Sequence, residues 1–195
     1  YALGAQFANN LKAQNIKIDG AAAGRAMQDV MDGKTPALNP EEMQAAMRKL
    51  NESRQNQASK NASENNTKSM AFLDKNSKVD GVKMAGNGVQ FKILKEGKGP
   101  QPKADDTVVI HYLGIERVNN GEFISTYRQN KPEEVALSEG LPGWREALPM
   151  IKKGSQFQIF MPPQMAYAER GATGVPPNAA VEFTGELIDI KTKKK

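Results

Sequence analysis

Between Asn51 and Ser69 the chain carries no large apolar residue; Ala58 and Ala62 stand alone among Asn, Gln, Ser, Lys, Arg, Thr and Glu. Such a stretch has nothing to place in a core. One continuous hydrophobic core for the 195 residues is therefore disfavoured, and two separately packed parts are expected. The stretch also lacks Pro and Gly, the two strongest helix breakers. It reads either as a disordered linker or as a solvated helix between folded parts. The helix is the favoured reading, because Met70, Phe72 and Leu73 restore an apolar pattern beyond it. Glu64 also precedes Lys68 by one helical turn, a pairing worth only about 0.2–0.5 kcal/mol. The expected organisation is a helical module over 1–50, a connecting helix or linker over 51–80, and a third part over 81–195.

The first part reads as three helices. Leu3, Phe7 and Leu11 recur every four residues. Asn15 to Gly20 reads as a break, Asp19 as the N-cap of a second helix bearing Ala23, Ala26, Met27, Val30 and Met31 on one face, and Gly33 as its end. Asn39-Pro40-Glu41-Glu42 combines a cap, a proline at the first helical position and acids in the first turn. Met43, Met47 and Leu50 continue the stripe. Helices this short, with small Met- and Ala-rich faces, bury little surface alone. The chain has no cysteine for a disulfide, so self-association through these helices is the favoured remedy; packing back onto the third part is the alternative.

From Gly88 the periodicity changes to two. Val89, Phe91 and Ile93 alternate with polar residues, Thr107–Gly114, Ser155–Met161 and Ala180–Ile190 read as further strands, and Gly121–Tyr127 as more extended chain. Trp144, Ala147, Leu148 and Ile151 are spaced for one short helix stopped by Gly154. Strands around one helix make an α+β fold, with an antiparallel sheet wrapped on that helix.

Composition narrows the chemistry. Without cysteine, and with His111 as the single histidine, thiolate catalysis and Cys- or His-clustered metal sites are excluded, and no cofactor is expected. The net charge of +5 owes much to Lys191, Lys193, Lys194 and Lys195 in one tail. Aromatics make up 6% and are not interleaved with a basic stripe, which argues against a nucleic-acid partner. No run approaches the roughly 18 apolar residues needed to cross a membrane. A chain that opens at Tyr1, inside an amphipathic pattern, reads as a mature or trimmed product.

The order of motifs is specific. Asp106-Thr107-Val108-Val109-Ile110-His111-Tyr112 is followed by Gly121-Glu122-Phe123 and Leu141-Pro142-Gly143-Trp144-Arg145-Glu146-Ala147-Leu148. Then come Gly154, Pro162-Pro163, Ala166-Tyr167, Pro176-Pro177-Asn178-Ala179 and Val181-Glu182-Phe183. Jointly these resemble the FKBP-type peptidyl-prolyl isomerases, over about Gly88 to Ile190. The N-terminal part resembles, by pattern more than by motif, the helical dimerisation module of the macrophage infectivity potentiator group. That resemblance implies a homodimer, proline-containing polypeptides as substrates, and the periplasm or cell surface of a Gram-negative bacterium.

It also implies a site. Trp144 would form the floor beneath a proline ring, with Tyr112, Phe123 and Phe183 as walls. Leu141 would supply packing and a backbone N–H, Tyr167 a hydroxyl for a substrate carbonyl, and Val175 the rim. Read without the resemblance, Tyr112 and Phe183 on their strands favour plain core over a site. Departures cluster: Ile124 stands where the family usually has an aspartate, and Gln129 where many members have its arginine partner. Losing both leaves no orphan charge, whereas losing one would cost about 3–5 kcal/mol. Glu133 replaces a wall aromatic, and Gly140 stands where a β-branched residue is common, which would loosen that edge. A pocket with Ile124 is expected to lack an acceptor for Tyr112 and to bind aspartate-dependent macrolides less well. His111 is expected on the opposite face of its strand, and Glu182 and Glu186 on an exposed one. Two functions follow: an isomerase that assists folding with reduced activity, or a non-catalytic module that binds proline-containing or unfolded segments.

Overall fold

The computed structural model describes residues 1–13 and 16–191. Asn15, where the predicted break begins, and the tail lysines Lys193, Lys194 and Lys195 lie outside the described residues. The chain divides into two compact units, Tyr1–Gln55 and Asn56–Lys195. No helix among the described residues is long and apolar enough to cross a membrane.

The first unit contains α1 (Ala2–Ala13), α2 (Gly20–Met31) and the start of α3 (Pro40–Asn76). Local signals account for the ends. The Asp19 carboxylate accepts from the backbone N–H groups of Ala21 and Ala22, and Gly33 follows α2 at φ +67°. At α3, Asn39 and Glu42 form a reciprocal capping box, each side chain accepting from the other's backbone N–H at 2.9 Å. The apolar faces stay uncovered: Leu3, Val30, Met31, Met43 and Met47 are all exposed, and α2 buries no residue.

The polar stretch is helical throughout, since α3 runs unbroken to Asn76. Its last turns are part of the second unit and not a free connector. Leu73 is buried with Phe160 and Ala180, and Phe72 packs alongside, its ring 6.0 Å from that of Phe160 and capped by the Arg117 guanidinium at 4.6 Å. Ser69 is fully buried; its hydroxyl donates to Asn178 O at 2.9 Å and accepts from Ala180 N at 2.7 Å. Asn65 donates to Pro177 O, and Gln90 donates to Leu73 O.

The second unit is one antiparallel sheet. It consists of β1 (Val82–Gly86), β2 (Val89–Lys95), β3 (Thr107–Glu116), β4 (Glu122–Ser125), β5 (Glu133–Ala136), β6 (Gln156–Met161) and β7 (Val181–Lys191). The order is β1-β2-β6-β7-β3-β4, with β5 also on β3. Strand β3 alternates without a break, burying Val108, Ile110, Tyr112, Gly114 and Glu116. The concave face wraps α4 (Pro142–Ala147), which buries Gly143, Trp144 and Ala147. The α+β expectation is met.

One expectation is corrected, and two strands add to those read from the sequence. Strands β1 and β5 are not apparent from the sequence, being short and placed beside turn-rich chain. Glu182 is not on an exposed face: it is 6% exposed, paired with Arg117 at 3.3 Å and accepting from Gln158. Its neighbours Val181 and Phe183 are buried too, because β7 lies between β6 and β3 while α3 covers part of the other side.

Candidate active site

Strands β3, β4 and β7 and helix α4 bring four aromatic rings together. Trp144 and Phe183 are 4.5 Å apart between ring centres; Tyr112 stands edge-on to both, at 5.6 and 5.5 Å. Phe123, from β4, meets Phe183 at 5.7 Å and Tyr167 at 5.8 Å, again edge to face. Edge-to-face packing of this kind is worth about 0.5–1.5 kcal/mol per pair beyond the area buried. Tyr112, Trp144 and Phe183 are buried, whereas Phe123, Ile124, Leu141 and Tyr167 are half-buried around them. The result is an apolar floor with a partly open margin.

Glycines make room for it. A Cβ on Gly114 would lie 2.6 Å from Ile124 and 2.8 Å from the Phe123 ring. Gly174, at φ +78°, brings the loop before Val175 against Phe123 Cβ, where a Cβ would sit at 2.9 Å.

Tyr112 does have an acceptor. The Tyr112 hydroxyl donates to the carboxylate of Glu133. Register explains the contact: Ile110 lies opposite Glu133 in the β3–β5 pair, and Tyr112 is two residues further along the same face. The expectation that Ile124 leaves Tyr112 without an acceptor is therefore corrected, since a carboxylate reaches it from another strand. Burial, then the Glu133 bond and charge, push the Tyr112 hydroxyl well above the usual tyrosine range. Tyr167 is raised too, by burial first and the Glu133 carboxylate second. Both hydroxyls stay protonated at neutral pH. Tyr112 donates to Glu133, whereas the Tyr167 hydroxyl has no hydrogen-bond partner among the described residues.

The remaining residues sort as follows. Ile124 packs against the core, and with Gln129 and Glu133 it lines an outer cleft of about 370 Å³. Gly140 does not loosen the edge: a Cβ there would meet Val135 at 3.0 Å and Trp144 at 3.6 Å, so Val135 of β5 already fills that space. Val175 lies beneath the rim as a core residue, 3% exposed. His111 is turned away from the pocket, stacked on Tyr127 at 4.0 Å and bonded through Nδ1 to Thr126 Oγ1. No group of acidic residues and histidine suited to a metal occurs among the described residues.

This pocket sits in a chain whose residues 99–188 match the family described as FKBP-type peptidyl-prolyl cis-trans isomerase. Residues 1–93 match the domain amino-terminal to such isomerases. FkpA of Escherichia coli K12, an FKBP-type peptidyl-prolyl cis-trans isomerase, is 34% identical over 205 residues, covering 100% of this chain and 76% of FkpA. The chain belongs to the FKBP-type peptidyl-prolyl isomerases. Within that family it is Mip-like: the outer membrane protein MIP of Legionella longbeachae is 34% identical over 98% of this chain and 84% of its own length. The crystal structure of Escherichia coli FkpA superposes with a TM-score of 0.85, covering 99% of this chain and 93% of that one. The FKBP fold is thus matched together with its preceding helices.

Proposed function

We propose that this FKBP-type isomerase acts on proline-containing, incompletely folded polypeptides through the pocket of Tyr112, Phe123, Trp144, Tyr167 and Phe183. The observation that carries the reading is the ring cluster itself, an apolar floor at the sheet's concave face with the Tyr167 ring at its margin.

The chemistry needed is modest. Rotation about an Xaa-Pro bond crosses a barrier of roughly 18–20 kcal/mol, because amide resonance keeps the bond planar. Resonance places negative charge on the carbonyl oxygen, which water stabilises. Moving the bond onto Trp144 and Phe183 strips that water and favours the twisted, less polar amide. Only binding that improves toward the twisted state accelerates the reaction. The Tyr167 hydroxyl and the Leu141 backbone N–H would hold the flanking chain, with Ile124 and Gly140 at the edge and Val175 supporting the rim from beneath. No metal or cofactor takes part in this scheme.

The reading of a binding module without turnover rested on Ile124 and Gln129. The Glu133 carboxylate on Tyr112 weakens that argument, because the hydroxyl is no longer without an acceptor.

A second copy of the chain is the proposed occupant of the uncovered helical faces. Ala22, Ala26, Val30, Leu38 and Met43 line an apolar concavity of about 510 Å³ in the first unit. Two pockets on one dimer would raise the effective concentration at a single client. The proposed location is the periplasm or surface of a Gram-negative cell, as the bacteria holding the relatives suggest.

The test is the refolding of a protein limited by Xaa-Pro isomerisation. Catalytic amounts of the chain should accelerate the slow phase, and folded Trp144→Ala should not. Equal acceleration by both would exclude this pocket; binding of the unfolded client without acceleration would favour the binding module.

A further inference from the structure

Glu133 does more than accept one hydrogen bond. Its Oε2 accepts the hydrogen bond from the Tyr112 hydroxyl, while Oε1 has no hydrogen-bond partner among the described residues. The adjacent acids are neutralised: Glu122 pairs with Arg128 and Glu134 with Lys191. No described ion pair includes Glu133, and the residue is exposed. The neutral Tyr112 hydroxyl orients this carboxylate without cancelling its charge. A full negative charge is thereby fixed beside the pocket floor, one tyrosine ring away from Trp144.

We infer that Glu133 makes this isomerase favour segments with a cationic side chain next to proline and disfavour acidic ones; the inference rests on the pocket reading above. With a proline ring on Trp144, the residues flanking it pass over the margin where Glu133 is held. A lysine or arginine there finds an acceptor oxygen that is already oriented. An acidic residue meets like charge. Lys131, also exposed, lines the same outer cleft and works against this preference, while Gln129 adds no charge of its own. At separations near 8 Å and partial solvent screening, each charge reversal amounts to about a threefold to tenfold effect.

The experiment measures kcat/KM of the full chain on peptides that differ only beside proline. Lys, Leu and Glu are each placed before proline in one series and after it in another. The expected result is a Lys-over-Glu ratio of about tenfold in at least one series, carried mainly by KM and collapsing in roughly 0.5 M salt. Glu133→Gln keeps an acceptor for Tyr112 and should bring that ratio close to one, while Lys131→Ala should widen it. A ratio near one in both wild-type series, or a ratio that survives in Glu133→Gln, overturns the inference while leaving the isomerase reading intact. Failure to turn over even the Leu peptides overturns both.

Discussion

Ser69→Ala exposes a part of the architecture that composition conceals. In a run of polar residues on a solvated helix, such a change should be neutral or slightly stabilising, because Ala is the better helix former. Here Ser69 is fully buried and joins α3 to the chain leading into β7, through Asn178 O at 2.9 Å and Ala180 N at 2.7 Å. Alanine would leave that donor and that acceptor without partners where Ala180 is also fully buried. An unsatisfied buried group costs about 1–3 kcal/mol, so the pair amounts to about 2–4 kcal/mol. For a unit of this size each kcal/mol lowers Tm by about 2–4 °C, which places the expected drop at roughly 4–16 °C. Trp144, the single tryptophan, lies in the second unit, so its fluorescence during urea unfolding reports on that unit. The exposed Ser59→Ala is the control, with an expected change within about 0.5 kcal/mol. If the two variants unfold at the same urea concentration, α3 is not docked as described.

Other perturbations follow from the same geometry. The full chain should sediment near twice 21.3 kDa, and Val30→Asp, at a 68% exposed position, should halve that mass; a dimer that persists, also after removal of 1–50, would refute association through these helices. Tyr112 and Tyr167 are raised in the folded state, so the unfolded chain releases their protons first as pH climbs. Stability from these groups is complete below about pH 10 and declines above it, and Tyr112→Phe should flatten the decline in urea midpoints. Ile124→Asp, which would restore the family's usual residue, places a second carboxylate near Glu133. It should lower kcat/KM in the wild-type background by a few fold and be tolerated better with Glu133→Gln; a clear gain in the wild type would show that Glu133 is not the working acceptor.

What could be read in advance divides by the range of the interaction. Capped helices, alternating strands and the motif order were legible, because each is encoded over a few neighbouring residues. Asp19, Asn39, Gly33 and the alternation of β3 are of this kind. The fold class and family followed from them, and the aromatic residues singled out do converge in space. Contacts across the sheet were not legible. Glu133 reaches Tyr112 from a four-residue strand, at a separation of 21 positions. Ser69 meets its partners 109 and 111 positions away. Nothing local distinguishes either from a solvated polar residue. One signal was available for Glu133: an acid at a wall position normally aromatic, beside the loss of an aspartate. The substitutions were readable as a loss; that they form an exchange is visible only once β5 is placed on β3. The same holds for Glu182, whose partners arrive from elsewhere in the chain, Arg117 from the turn after β3 and Gln158 from β6.

The central claim is that the ring cluster of Tyr112, Phe123, Trp144 and Phe183 catalyses rotation about Xaa-Pro bonds. The most direct measurement is the cis-to-trans rate of a short Leu-Pro peptide with the full chain and with Trp144→Ala, both shown folded by circular dichroism. The account predicts catalysis by the full chain and a loss of at least tenfold in kcat/KM for the variant. Equal rates for the two proteins would contradict it.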